Sequence, residues 1–122
     1  MDVRGYWQAV LAQNEGEIRR FFHPDAEIRW HNSNEHFNVD EFVRANCEYP
    51  GEWTGVVERV ETMGDRVIAV TQVRTMDGSL SFHAVSFIKV REGKIAFIDE
   101  YWGDDGQAPQ WRLDKKIGQP IA

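Results

Sequence analysis

Three short turn signals, Gly64-Asp65, Asp77-Gly78 and Glu92-Gly93, recur at regular spacing through the second half of the chain. The segments between them are rich in Val, Ile, Thr and Phe and alternate apolar with polar residues. Two-residue connections between such segments need residues that tolerate positive φ, and Gly supplies that tolerance. The pattern predicts a four-strand antiparallel meander. Asp77-Gly78 is the strongest of the three signals, because both central positions of a type I′ turn need positive φ.

The turns set a register. Centring a hairpin on Asp77-Gly78 places Gln72 opposite His83 and Val70 opposite Val85. Centring the next on Glu92-Gly93 places His83 opposite Trp102, Val85 opposite Glu100 and Phe87 opposite Ile98. One sheet face then carries Arg74, Gln72, His83, Glu100 and Trp102 among Ile68, Val70, Val85, Phe87 and Ile98, with Arg59 and Val57 one strand out. The other carries Ala69, Thr71, Val73, Phe82, Ala84, Ser86, Asp99 and Tyr101. A bulge would swap part of this assignment, because side chains alternate with period two. Asp99 is then the fallback acid. Both faces are largely apolar, so both are expected to be covered.

The first half reads as helices. Val3, Tyr6, Trp7, Val10 and Leu11 share one helical face. Asn14 with Glu17 resembles a capping box for a short second helix carrying Ile18, Phe21 and Phe22. His23-Pro24-Asp25 is expected to end it, since the residue before Pro avoids the helical region. Ala26, Ile28 and Trp30 alternate as a strand, and Glu35-His36-Phe37 is a short return strand. Asn38 with Glu41 caps a third helix presenting Val39, Phe42, Val43 and Cys47, which stops before Pro50-Gly51. Helices first and strands afterwards is the α+β pattern. The three helices can cover one sheet face, and a second copy of the chain is the economical cover for the other.

A length of 122 residues suits one domain over 1–122. The net charge of −6 leaves no electrostatic footprint for nucleic acid, and no basic run marks a membrane surface. No apolar stretch approaches the roughly 20 residues that span a bilayer. The start lacks an apolar signal core, and Cys47 has no partner for an internal disulfide. The expectation is a cytoplasmic protein. Cys47 reads as a buried structural thiol. His31, Glu35 and His36 fit no standard metal-site spacing, so no metal is expected.

The order of elements over residues 3 to about 103 resembles the nuclear transport factor 2-like superfamily, in its SnoaL-like branch. Phe22-His23-Pro24-Asp25-Ala26, Asp40-Glu41-Phe42 and Arg91-Glu92-Gly93-Lys94-Ile95 carry the likeness, with the acidic-aromatic last strand Asp99-Glu100-Tyr101-Trp102. The resemblance implies a cone-shaped α+β barrel of a curved, mostly antiparallel sheet on three N-terminal helices, commonly dimeric, with a pocket between helices and sheet. It also implies a choice among isomerases, cyclases, dehydratases, hydrolases and plain binding modules. Enzymes of this kind pair a last-strand carboxylate with a His, Tyr or second acid, and Glu100 and His83 match by position.

Glu100, flanked by Ile98 and Trp102, is a candidate general base whose pKa desolvation would raise. His83, diagonal to it at about 7–8 Å, would shuttle the proton. The plainer reading is a structural His–Glu pair. Gln72 and Arg74 extend the row and could orient a carbonyl or carboxylate, while Arg59 reads as a rim residue. Trp30, Tyr49, Trp53 and Trp102 are candidate walls for a flat apolar ligand; core packing is the alternative for each. No cofactor is implied, and the chemistry expected of an enzyme here is acid–base. The tail beyond Gln107, with Pro109, Trp111, Arg112, Ile117 and Ile121, is expected to dock on the body.

Overall fold

The computed structural model describes residues 1–122. The elements run α1 (Val3–Leu11), α2 (Glu15–Arg20), β1 (Phe22–Trp30), β2 (Glu35–Phe37), α3 (Val39–Cys47), β3 (Trp53–Met63), β4 (Arg66–Thr75), β5 (Ser81–Arg91), β6 (Lys94–Asp104) and α4 (Gln110–Asp114). The strands form one curved six-stranded sheet in the order β2-β1-β6-β5-β4-β3, antiparallel except where β1 meets β6. This is the expected α+β cone, left open rather than closed into a barrel, since β2 and β3 do not pair.

Local chemistry accounts for the helix starts. Asn38 Oδ1 accepts from the Glu41 amide at 2.8 Å, and the Glu41 carboxylate accepts from the Asn38 amide at 3.1 Å. That reciprocal box satisfies two amides that α3 cannot bond internally. At α2 only half of it forms: Asn14 Oδ1 accepts from the Glu17 amide. α2 ends at Arg20, earlier than His23-Pro24 suggested. Phe22 already pairs in parallel with Ile95, and the irregular stretch up to Glu27 absorbs Pro24, which has no amide to donate.

The turns differ in detail from expectation. Glu92 and Gly93 both take positive φ, 52° and 77°, as a type I′ turn demands. At Asp77-Gly78 only Gly78 is positive, and the connection is longer. Thr75 Oγ1 accepts from the Leu80 amide, and the Asp77 carboxylate accepts from the Ser79 amide and hydroxyl. The register outside that loop is nevertheless the one expected, with Gln72 opposite His83 and Val70 opposite Val85.

The β5–β6 register is not the one expected. A bulge between the Val90–Ile95 and Lys89–Phe97 pairs leaves Ala96 unmatched. Every later pair shifts by one: Ser86 faces Glu100, Ala84 faces Trp102 and His83 faces Gly103. Ile95 and Ile98, three apart, are both fully buried, as one extra residue between them requires. Glu100 and Trp102 therefore join Val67, Ala69, Thr71, Val73, Ala84 and Ile88 on the face that the helices cover. His83, Gln72, Arg74, Asp99 and Tyr101 share the opposite face.

The core lies between the covered face and the helices. Tyr6, Ile18, Ile28, Phe42, Val43, Ile88, Ile95 and Ile98 are its most deeply buried large apolar side chains. Gly55 on β3 marks a close approach of two backbones. A Cβ there would stand 2.2 Å from the Gln72 carbonyl oxygen. Gly55→Ala is expected to force β3 off β4 and cost about 1–3 kcal/mol, read as a lowered midpoint in urea unfolding.

The tail does not dock as expected. α4 buries no residue, and Trp111, Ile117 and Ile121 are exposed. Its attachment is at Asp105, whose carboxylate accepts from the Ser81 hydroxyl and bonds His83. No helix is long and apolar enough to cross a membrane.

Candidate functional site

Between α1, α3 and the covered sheet face lies a cavity of about 220 Å³. Each wall follows from a local element. Trp7, Val10 and Leu11 come from the apolar stripe of α1, and Ala45 and Asn46 from the end of α3. Trp30 ends β1 beside Glu100 of β6, because the parallel pairing matches those two residues. Tyr49, Trp53, Phe82 and Trp102 form a continuous aromatic wall. Tyr49 meets Trp53 edge to face at 5.0 Å between centroids, Trp53 meets Phe82 at 6.1 Å, and Phe82 meets Trp102 at 6.0 Å. Such contacts hold rings in fixed attitudes. Asn32 fixes the end of β6: its side-chain oxygen accepts from the Trp102 amide, and its side-chain nitrogen donates to the Trp102 carbonyl.

Glu100 is the acid of this cavity. It is 6% exposed, and the Ser86 hydroxyl donates to its Oε2 at 2.8 Å. Oε1 accepts no hydrogen bond from the chain. Burial pushes its pKa up to about 7, against the smaller downward pull of Ser86. Tyr6, from α1, is fully buried nearby. Burial, with the Glu100 charge adding to it, holds its phenol well above the ordinary value, so its hydroxyl stays neutral.

His83 is not beside Glu100. Its Nδ1 bonds Asp105 at 2.5 Å and its Nε2 bonds Glu58 at 2.9 Å, both on the outer face. Glu58 reaches it because a second bulge, in β3 between Val57 and Arg59, leaves Glu58 unmatched. The Asp105 hydrogen bond above all raises the imidazole pKa, with Glu58 adding to it, against the opposing pull of desolvation. The expected His83–Glu100 relay is thus split by the sheet.

Gln72 and Arg74 lie with His83, away from the cavity. Arg74 donates to the Gln72 side-chain oxygen Oε1 at 3.3 Å, and the Gln72 side-chain amide donates to the Ser81 hydroxyl. Arg59 lies on that outer face too, paired with Glu61, while Val57 turns to the covered side. Asp99 bonds His31 at 2.6 Å, and His31 stacks on Tyr101 at 4.3 Å. Trp30, Tyr49, Trp53 and Trp102 all line the cavity with Glu100. No group of three His, Cys, Asp or Glu residues is placed to hold a metal. Cys47 is half-buried, its thiol donating to the Gln13 carbonyl.

Sequence reasoning passed over Trp7, Ser86, Gln13 and Asn46. Ser86 carried a signal: a lone hydroxyl between Ala84 and Ile88 on an otherwise apolar strand face. Gln13 carried none. It sits at a helix end with φ of 53°, and its amide donates to the carbonyls of Asn46 and Tyr49, tying α1 to α3.

An open antiparallel cone closed by three helices, with an acid at the bottom of an aromatic cavity, defines a class of small α+β domains. The SnoaL-like domain model matches residues 3–98, and the chain belongs to that family. Solved structures share the fold. An NTF-2 like protein of unknown function from Burkholderia xenovorans LB400 superposes with a TM-score of 0.78 at 22% identity, covering 97% of this chain and 91% of that one. A candidate ketosteroid isomerase from Kribbella flavida gives 0.79 at 18% identity, covering 97% and 85%. An LEH-like epoxide hydrolase from M. tuberculosis gives 0.67 at 12%, covering 81% and 77%. At such identities the likeness speaks for the fold alone. No curated protein sequence matches the chain.

Proposed function

We propose that the chain binds a small, mostly apolar organic molecule in the aromatic cavity, and that Glu100 exchanges a proton with it. The observation that carries this reading is a carboxyl group lining an apolar cavity with its pKa near 7. A group poised there is ionised often enough to accept a proton and protonated often enough to return one. Ser86 orients one oxygen and leaves the other to the ligand. Isomerisation, cyclisation, dehydration and hydrolysis all use such a step, and relatives by fold carry names from these classes. Incubating the protein with small cyclic ketones in deuterated water tests it. Exchange of protons α to the carbonyl by the wild type, lost in Glu100→Gln, supports proton transfer. Equal exchange by both proteins sinks it.

The second reading is a binding module without turnover. It is favoured by one observation: Ser86 is the only side chain that hydrogen-bonds Glu100, and His83 stands across the sheet. Exchange by neither protein, with ligand still bound, would select it.

The outer sheet face is proposed to meet a second copy of the chain. Phe87 is 44% exposed and Tyr101 45%, edge to face with each other, beside half-exposed Ile68, Val70 and Val85. An exposed apolar patch of this kind suits an isologous dimer. Sedimentation is expected to give a dimer that Phe87→Glu converts to monomer. A wild-type monomer at tens of micromolar concentration would refute the interface.

A further inference from the structure

We infer that the guest of this cavity is an organic ammonium ion, seated against Glu100. The inference rests on the cavity being a ligand site, as proposed above, and follows from an inventory of its polar groups. No Lys, Arg or His lines the cavity. The side-chain donors that line it are all neutral groups, and its side-chain amides are already engaged. Both amide hydrogens of Gln13 go to the Asn46 and Tyr49 carbonyls, and the Asn46 amide donates to the Phe42 carbonyl. The indole N–H groups of Trp7, Trp30 and Trp53 are buried without partners, and the Trp102 indole and the Tyr49 hydroxyl also line the cavity, but none of these donors carries a charge.

The charged groups of the cavity are all acceptors. Glu100 keeps a free oxygen, and Asp104, four residues on along β6 and on the same face, adds a second carboxylate at the exposed end. A carboxylate guest would meet two like charges and no cationic side chain. A neutral guest could bond the indole donors but would leave both carboxylates without a counter-charge. A protonated amine satisfies the acceptors, neutralises the buried charge and faces aromatic rings that attract cations. Four Trp, Tyr49 and Phe82 give the cavity such rings on several sides. A cation beside Glu100 also favours its ionised form, which is the form a base needs.

The test is calorimetric titration of the wild-type protein at pH 8 with three guests of nearly one shape: benzylamine hydrochloride, benzyl alcohol and sodium benzoate. Benzylammonium is expected to bind at least about tenfold more tightly than the alcohol, a gap of about 1.4 kcal/mol, and benzoate not at all. Glu100→Gln is expected to bring the amine down to the affinity of the alcohol. Alcohol or benzoate binding as tightly as the amine overturns the inference while leaving the cavity a small-molecule site. Binding of none of the three removes the inference and the ligand-site reading together. The comparison among guests needs no variant, so it decides even if Glu100→Gln folds poorly.

Discussion

Glu100→Gln is expected to stabilise the protein at pH 8 while sharply slowing proton transfer. The carboxyl titrates at about 7 in the fold against an ordinary value of 4.5. Between those values the folded chain holds a proton that the unfolded chain has released. The stability tied to this group is therefore complete below pH 4.5 and is lost as pH rises through about 7. The difference of about 2.5 pH units corresponds to roughly 3 kcal/mol. Gln keeps the shape, can still accept from Ser86 and carries no charge, so the variant escapes that penalty. Thermal unfolding should show variant and wild type alike near pH 4.5. At pH 8 the variant should lead by on the order of 10 °C. Exchange with a ligand should fall by roughly 10²- to 10⁴-fold, the usual share of a positioned base. Parallel melting curves for the two proteins at every pH would show that Glu100 titrates like an exposed acid.

Phe42→Ala is expected to be the most damaging of the simple truncations, costing about 3–5 kcal/mol. Phe42 is 2% exposed on the inner stripe of α3. Its ring meets Phe22 at 5.4 Å and Trp30 at 6.1 Å, both edge to face. Removing it leaves a void that fixed neighbours cannot close, since Phe22 and Trp30 are held by the β1–β6 pairing. The loss is also felt in the site, because Trp30 stands beside Glu100. Equilibrium urea unfolding reads the stability, and tryptophan fluorescence reads the loosened indole. A cost under about 1 kcal/mol would mean that α3 can settle onto the sheet.

Much of the architecture was legible because it rests on period and punctuation. The stripe from Val3 to Leu11, the Asn38–Glu41 box and the turn at Glu92-Gly93 each act locally, and each gives the element read from it. The aromatic residues Trp30, Tyr49, Trp53 and Trp102 were legible as a set for a similar reason: large rings near element ends gather where layers meet. What could not be read was the pairing beyond Val90. The unmatched residue, Ala96, is small and apolar and breaks no alternation by itself. Its effect is felt only in the partner strand, where Ser86 rather than Val85 receives Glu100. The bulge at Glu58 is hidden likewise within Val-Val-Glu-Arg-Val. So the relay of His83 with Glu100 was drawn on one surface when its members stand on two.

The irregularity at Ala96 makes the chemistry of the last strand a matter of chain length. Glu100 and Asp99 are neighbours, and only the extra residue decides which of them reaches the cavity and which meets His31 outside. A relative lacking that residue could offer its other acid to the same cavity without any substitution at either position. Comparisons within the family that match the two strands without a gap would then equate a solvent-facing aspartate with a buried glutamate. Site residues in such chains are better assigned by counting outward from the turn through each pairing than by counting along the sequence.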